Sequence, residues 1–536
     1  MYNNFRKPKT TLQNSWLNSV AVDGTVTGGG KGVAKTKPLT IAAATSTTKL
    51  RKTTKAIITF IAAYFEDSNI HGLQYVVKGG LTTIENCLWL TLLIISMYFC
   101  AEIGLQSVDR YYTKSTVVGL ERDFHYWNTT MPSVTICPLI RLDIKLFNEY
   151  CRLHNLNSDK ERHEFFEFME KLANSTYINF QNIPNNQTID LILDRLNITP
   201  DKYMELIYNL TGDTSIKYRN DLDDVADKIR STTGDFIIET RQILTEYGLC
   251  YMTNTMLSEK FTSLYLIWGE YPVNEIRDLK TTLQVKQSSY FDSDVSYNFL
   301  GFNDRPIDGF LHSSYEIMQV DHNLGYTNES LQVDVDCIEI ITEEGFESGA
   351  SVEQRKCRFQ HESNLTHYPV YTRNLCLQEC RLNLVYKTCK CIPHFYPNRI
   401  PKPKPICNYK ILRECFVQNA HFFIKLYKVD SDGNKQMVPC QCAQNCQDAI
   451  VNKRSKFQLQ KTNALVGGNS LLFAIINLPT YRLKRLIIFS FTDLMVSIGG
   501  TAGLFLGFSV LCLVEVIYYF TLRLLFYLIK LWCRND

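Results

Sequence analysis

The chain has 536 residues, of which 45% are hydrophobic and 12% aromatic, and it contains 18 cysteines. This composition allows a large core and excludes a wholly disordered, collagen-like or small disulfide-only protein. Lys and Arg number 57 against 54 Asp and Glu, a net charge of +3, and a chain so close to neutral is not expected to bind nucleic acid.

The first 80 residues are basic and lack long apolar runs. Residues 1–55, with GGGKG and AAATSTTK, are predicted to be a disordered cytoplasmic tail, whose lysines are better explained as solvated charges than as a lipid-binding site. Residues 56–80 are a semi-apolar pre-membrane segment that contains the pair His71-Gly72. Because positive charge marks the cytoplasmic side of a span, the N-terminus is placed inside the cell.

Two apolar stretches are each long enough to cross a bilayer, whose core needs roughly 20 helical residues. Residues 81–104 lack charge between Leu88 and Ala101, and residues 486–519 carry only Asp493 and Glu515 as charged groups. We predict two transmembrane helices rather than buried helices of a soluble domain, and neither stretch has the features of a cleavable signal. Residues 105–485 then form an extracellular domain, and residues 520–536 form a short cytoplasmic tail at the plasma membrane.

Glycosylation sequons agree with this topology. All seven lie in the predicted extracellular domain, at Asn128, Asn174, Asn186, Asn197, Asn209, Asn328 and Asn364. A single sequon is a weak signal, but seven in one compartment support the charge argument.

The cysteines indicate an oxidising compartment. Four lie in or beside the spans, and the other 14 lie in the predicted extracellular domain, where they allow up to seven disulfides. A zinc ribbon at Cys389-Lys-Cys391 and Cys440-Gln-Cys442 is the weaker alternative, because C-x-C is not the usual ligand spacing. We expect no metal and no cofactor.

The predicted extracellular domain contains both helices and strands. Apolar residues three and four apart predict helices over Lys160–Leu172 and Ile189–Leu210. Alternating or β-branched runs predict strands over Met131–Ile136 and Gln332–Ile341. The sequence therefore indicates a disulfide-rich α+β extracellular domain between two transmembrane helices.

The second span carries small and polar residues that a simple anchor does not need. Gly499, Gly503 and Gly507 form GxxxGxxxG, and further four-residue steps reach Leu511 and Glu515. Such a stripe suits close helix packing, and a carboxylate in a span normally faces protein or water. A water-filled pathway is favoured, with a small-residue dimer interface as the alternative. Two spans cannot enclose a pore, so conduction requires an oligomer.

The narrowest level of this pathway is expected at Gly507-Phe508-Ser509. A backbone carbonyl and a hydroxyl there are able to contact a partly dehydrated cation, while Glu515 raises the local cation concentration. No nucleophile elbow, HExxH, phosphate-binding glycine loop or kinase signature is present, so we do not expect an enzyme.

Specific motifs match one known family. They are His71-Gly72, MPSVTIC at Met131–Cys137, GLCY at Gly248–Tyr251, IGGTAGLFLGFSVLCLVE at Ile498–Glu515, and a ladder of cysteines from Cys357 to Cys446. Over about residues 65–520 the sequence resembles the degenerin and epithelial sodium channel family, and looks most like its insect pickpocket branch.

The resemblance implies a trimer, of one or several related subunits, with a β palm flanked by helical finger and thumb regions. It implies sodium-preferring, amiloride-sensitive conduction, with sodium as the permeant ion. The matched positions imply a selectivity filter at Gly507, Phe508 and Ser509, and a gating role for His71, Gly72 and Val496. The expected pore-lining positions are Ser497, Gly499, Gly500, Gly503 and Glu515.

Disulfides are also implied by the resemblance, with the cysteine-rich, thumb-like part at residues 357–446. The implied pairs are Cys137 with Cys250, Cys357 with Cys446, Cys376 with Cys442, Cys380 with Cys440, Cys389 with Cys415, and Cys391 with Cys407. Cys151 and Cys337 remain, and we expect them to join each other.

Two positions depart from the family pattern. MPSVTIC replaces a commoner Phe-Pro opening, and Ser497 stands where many relatives have Asp before Ile-Gly-Gly, so that an outer cation site of those relatives lacks its acid here. The alternative function is a two-span, disulfide-rich scavenger or lipid-binding receptor that does not conduct. The opening stimulus and any extracellular ligand are not indicated by the sequence.

Overall fold

The computed structural model describes most of the chain, with several gaps. The described residues are 58–77, 80–174, 176–177, 179–211, 240–257, 259–268, 287–289, 295–300, 307–319, 323–327, 331–429, 433–458, 470–475 and 478–533. The predicted tail at residues 1–55 and the sequon at Asn328 lie outside them. The chain divides into two compact units, residues 1–95 with 506–536, and residues 96–505.

Within the described residues, two helical stretches are long and apolar enough to cross a membrane: the first apolar helix, Thr83–Thr113, and Val510–Lys530. The first apolar helix extends nine residues beyond the predicted boundary at Gly104. It follows a helix at residues 58–67 and a short helix, Leu73–Val77. Most of its side chains are exposed in the single chain, as expected for a helix that contacts lipid or other subunits.

The second apolar segment, residues 491–533, differs from its prediction. Residues Arg482–Ile487 form a strand, so the helix begins at Phe491 rather than Leu486. The segment consists of Phe491–Leu506, Val510–Tyr518, a π-helical turn at Tyr519–Arg523, and Leu524–Cys533. The expected stripe from Gly499 to Glu515 on one continuous helix is wrong, because residues 507–509 are not helical. Helix also continues into the predicted cytoplasmic tail.

A six-stranded sheet, here called the large sheet, is centred on the strand Leu331–Thr342. This strand pairs antiparallel with Asp448–Gln458 and parallel with both Ser470–Ile475 and Arg482–Ile487. The outer strands are Thr116–Glu121, beside Arg482–Ile487, and Val295–Leu300, beside Ser470–Ile475. The predicted strand Gln332–Ile341 is confirmed.

A second, five-stranded sheet, here called the small sheet, is antiparallel throughout. Its strands run in the order Thr240–Thr245, Gly248–Thr253, Ser133–Pro138, Ile307–His312 and Asn323–Thr327. Side chains from both sheets form one buried cluster that includes Val134, Ile136, Val333 and Val335. The β-branched residues that predicted these strands are thus the ones that pack between the sheets.

Helices pack on the small sheet, and together they form a hydrophobic core larger than the one between the two sheets. They are Ile144–Leu153, Asp159–Asn174, Gln187–Arg195, Tyr203–Thr211 and a long helix, Arg373–Cys389, called here the cysteine-rich helix. The prediction of a helix over Lys160–Leu172 is confirmed, but Ile189–Leu210 is two helices. Asn197 adopts a positive φ of 51°, and Pro200 begins the next helical turn, so the chain changes direction there.

Short ladders complete the described strands. Asn128–Thr130 pairs with Gln287–Ser289, Cys357–Arg358 with Gln444–Asn445, and Tyr427–Val429 with Lys435–Met437. The cysteine-rich helix begins after Thr372, whose hydroxyl accepts from the Leu375 N–H at 3.1 Å, and it ends at Lys390, which has a φ of 62°.

Among the described cysteines, six disulfides form, and they are the six pairs that the resemblance implies. The expected bond between Cys151 and Cys337 is wrong, since both thiols are free. Cys151 is buried among the helices in the larger core, whereas Cys337 is buried between the two sheets. The two thiols therefore belong to different clusters.

Candidate functional site

The second apolar segment is interrupted at Gly507-Phe508-Ser509. Gly507 has a φ of +61°, a conformation that ends a right-handed helix and favours glycine. Ser509 is extended and caps the helix that follows, with its hydroxyl accepting from the Cys512 N–H at 3.3 Å. Non-helical backbone at membrane depth is tolerated only where protein surrounds it or where it lines a water-filled cavity. The break is therefore a candidate functional site.

The pair His71-Gly72 lies directly against this break. The His71 N–H donates to the Leu506 carbonyl at 3.1 Å, which satisfies a backbone oxygen at the helix end. A Cβ built on Gly507 would lie 1.7 Å from the Nδ1 atom of His71. The sequence motifs predicted as gating pair and filter, which are far apart in the chain, are thus in direct contact.

An aromatic cluster holds this pre-membrane segment to the end of the chain. Phe60 and Tyr64 are buried against Tyr519, with ring centroids 5.0 and 4.8 Å away. The Arg523 guanidinium lies over the Tyr519 ring and 3.8 Å from the Asp67 carboxylate. Sequence reasoning missed this cluster, because its members are single aromatic residues in two distant segments.

Glu515, the expected pathway acid, receives a hydrogen bond from the same segment. The Nδ2 atom of Asn69 donates to its Oε2 at 3.0 Å. Glu515 is half-buried and Asn69 is exposed. The amide carries no charge, so this hydrogen bond fixes one oxygen of Glu515 without bringing a cationic side chain to it.

The helix Phe491–Leu506 has an open face in the single chain. Val496 is 74% exposed, and a Cβ built on Gly499 or Gly500 would meet no atom within 4 Å. Gly503 is also exposed. These four residues share one side of the helix, which leaves a smooth surface for water or for another subunit.

Ser497 differs from the other expected pore-lining positions. Its hydroxyl lies 2.9 Å from the hydroxyl of Ser107 on the first apolar helix. A residue that follows Val496 is turned about 100° from it around a helix. Ser497 therefore joins two helices of its own chain and does not share the open face.

The compact unit of residues 96–505 contains a buried ion pair that the sequence did not reveal. Glu246 accepts from Arg381 Nε at 2.7 Å and Nη2 at 2.6 Å, and also from the Tyr396 hydroxyl at 2.6 Å and the Tyr177 hydroxyl. Burial alone would lower the pKa of Arg381, but the attraction of Glu246 outweighs it and raises that pKa well above its usual value. The pair joins the small sheet to the cysteine-rich helix.

A second buried group contains two carboxyls. Asn445 donates from Nδ2 to Glu316 at 2.9 Å and to Asp448 at 3.2 Å. Burial, and then the charge of Asp448, raise the pKa of Glu316 to about 7, and burial also raises the pKa of Asp448. The Asn374 N–H donates to Glu316 at 3.3 Å, so this group reaches the start of the cysteine-rich helix.

One group of side chains has the composition of a metal site. Glu347, His361 and Glu362 place their ligand atoms within 4.8 Å of one another. Glu362, however, already accepts from Arg355 and from the Phe359 N–H at 2.9 Å. Each of its oxygens therefore already accepts one hydrogen bond, and the contacts present are those of an ion-paired turn.

The described sequons differ in exposure. Asn128, Asn186, Asn197, Asn209 and Asn364 are exposed. Asn174 is half-buried at the end of its helix, and within the described part of the chain its Oδ1 is buried without a hydrogen-bond partner.

The chain is similar to known channel proteins over most of its length. A family model described as amiloride-sensitive sodium channel matches residues 64–519. The sodium channel protein Nach of Drosophila ananassae is 24% identical over 492 residues, which covers 85% of each chain. Pickpocket protein 19 of Drosophila melanogaster is 24% identical over 85% of this chain and 89% of its own. The bile acid-sensitive ion channel of Mus musculus is 20% identical over 87% and 88%.

Proposed function

The chain belongs to the amiloride-sensitive sodium channel family, and on that premise we propose that it is one subunit of a trimeric, sodium-permeable channel of the plasma membrane. Both termini are cytoplasmic, and residues 105–485 are extracellular. The large and small sheets form the palm, and the surrounding helices form the finger and thumb regions. The channel is of the amiloride-sensitive type and opens in response to an extracellular stimulus.

The observation that carries this proposal is the helix break at Gly507-Phe508-Ser509. A membrane anchor or a receptor span does not need a left-handed glycine or a non-helical stretch. Both leave backbone groups unpaired, and unpaired backbone groups raise the free energy of a span in lipid. Around a shared axis, three such breaks present backbone oxygens and the Ser509 hydroxyls to a cation. Sodium, a small hard cation, is suited to oxygen ligands.

Charge and shape near the break support cation passage. The hydrogen-bond partner of Glu515 is a neutral amide, and the open helix face at Val496, Gly499 and Gly500, which precedes the break in the chain, carries two glycines. The contact between His71 and Gly507 supports a gating role for the His71-Gly72 pair, because movement of His71 would alter the proposed filter.

Voltage clamp of cells that express the chain, alone and with related subunits, tests the proposal. The expected result is a current whose reversal potential moves with external sodium and which amiloride blocks. A matched variant, Glu515→Gln, keeps the side-chain size and removes the acid. It should lower conductance without preventing surface delivery. A surface-delivered protein that carries no current in any subunit combination would contradict the proposed function.

A further inference from the structure

Contacts made by the residues on either side of Asn69 fix its position. It follows the helix at residues 58–67, whose Tyr64 packs against Tyr519 at 4.8 Å. On its other side, the Ile70 N–H donates to the buried Ser68 hydroxyl at 3.3 Å, and the His71 N–H donates to Leu506 at 3.1 Å. Because the loop is fixed on both sides, the Asn69 amide is held where it meets Glu515.

The hydrogen-bond partner of Glu515, the side-chain amide of Asn69, carries no charge. The nearest arginine in the next helical turns, Arg523, lies against Asp67 and Tyr519. Within the described residues, no Lys, Arg or His nitrogen lies within 4.0 Å of the Glu515 carboxylate, and its Oε1 accepts no hydrogen bond. An amide fixes one oxygen without neutralising the group, whereas a Lys or Arg in its place would cancel the charge.

We propose that Asn69 is a specificity-determining residue of the permeation route, which holds the Glu515 carboxylate with Oε1 free for a passing cation. This inference rests on the proposed function. Three such acids around an axis form a ring of oxygen ligands, and Mg²⁺ and Ca²⁺ bind carboxylate oxygens. The neutral amide at Asn69 leaves one carboxylate in the Asn69–Glu515 pair of each subunit, so that monovalent cations pass and cytoplasmic divalent cations bind only weakly.

The test is block of the current by cytoplasmic Mg²⁺ in excised inside-out patches. Asn69→Asp replaces the amide with a second carboxylate at hydrogen-bond distance from Glu515, and the concentration of Mg²⁺ for half-block should fall about tenfold or more. Adding Glu515→Gln to Asn69→Asp should reverse most of that change. Gln74→Glu is the matched control, because it adds the same charge at an exposed position in the same segment.

A second variant avoids any failure of Asn69→Asp to assemble. In Asn69→Cys, a negatively charged methanethiosulfonate reagent applied from the cytoplasmic side adds a negative charge at residue 69 after the channel has reached the surface. This modification should increase Mg²⁺ block. The unsubstituted chain, which has only its native thiols, should not respond to the reagent. Equal block in Asn69→Asp and Gln74→Glu, or no effect of the reagent, would overturn this inference while leaving sodium current intact. Absence of current from the unsubstituted chain would instead overturn the proposed function, and this inference with it.

Discussion

His71 donates its backbone N–H to the carbonyl oxygen of Leu506 at 3.1 Å, one residue before the chain leaves its helix at Gly507. The bond is made by backbone atoms, so it fixes the position of the pre-membrane segment whatever the side chains are. The imidazole of His71 occupies the position that a side chain at residue 507 would take. The pre-membrane segment and the helix break are therefore one structural element.

Gly507→Ala should abolish or strongly reduce the current. An alanine at a φ of +61° costs about 1 kcal/mol or more, and its Cβ would overlap the His71 ring, so the break has to reorganise. Whole-cell current normalised to surface protein is the measurement. Gly104→Ala is the control, because a Cβ there meets no atom within 4 Å and current should be retained. Equal currents from both variants would contradict the role given to Gly507.

Glu246→Ala should destabilise the compact unit of residues 96–505 by about 3 to 5 kcal/mol, since it leaves the Arg381 guanidinium buried without its partner. The double variant Glu246→Ala with Arg381→Met should recover part of that loss, because no unpaired charge remains. Thermal unfolding of the detergent-solubilised protein and its surface delivery measure the effect. Glu205→Ala, at an exposed helix position, is the control. A single variant as stable as this control would refute the structural role.

Glu316 should make stability depend on pH near neutrality. Its pKa is about 7 in the folded protein and 4.5 when unperturbed, so folding favours the protonated form. The resulting stabilisation is complete below the unfolded pKa and is lost as pH rises through 7, at no more than about 1.4 kcal/mol per pH unit. The difference in unfolding temperature between Glu316→Gln and the unsubstituted chain should therefore increase in favour of the variant from pH 5.5 to pH 8. A constant difference over that range would refute the assignment.

Asn174 should remain unglycosylated although it stands in a sequon. Its side chain is half-buried with the oxygen enclosed, whereas the exposed sequons are Asn128, Asn186, Asn197, Asn209 and Asn364. Asn→Gln variants analysed by gel mobility, with and without glycosidase, give the answer. Each exposed site should account for one glycan, and Asn174→Gln should leave the apparent mass unchanged. Loss of one glycan in Asn174→Gln would show that the helix end opens before modification.

The sequence predicts the local elements well where one pattern determines them. The strand Gln332–Ile341 and the helix Lys160–Leu172 follow from residue periodicity, because each buries one face against a core. The six disulfides follow from the family resemblance and not from spacing alone. The pairing expected for Cys151 and Cys337 fails since even numbers of cysteines do not require every thiol to pair.

The interruption of the second span was not predictable from hydropathy. Gly507 fits a GxxxGxxxG stripe on a continuous helix as well as it fits a left-handed turn, and only the His71 contact distinguishes the two. Asn69 carries no signal in the sequence, because a hydrogen bond to a residue 446 positions away depends on tertiary structure. The buried pair of Glu246 and Arg381 was missed for the same reason.

The reversal potential of Ser509→Cys with external sodium and internal potassium, compared with that of the unsubstituted chain, tests the central claim most directly. The substitution replaces a hydroxyl with a larger sulfur atom, which is a weaker ligand for a cation that contacts residues 507–509. We therefore expect a current with reduced preference for sodium and with new sensitivity to thiophilic cations. A surface-delivered, conducting Ser509→Cys channel whose reversal potential and thiol sensitivity match those of the unsubstituted chain would contradict the claim that ions pass at this break.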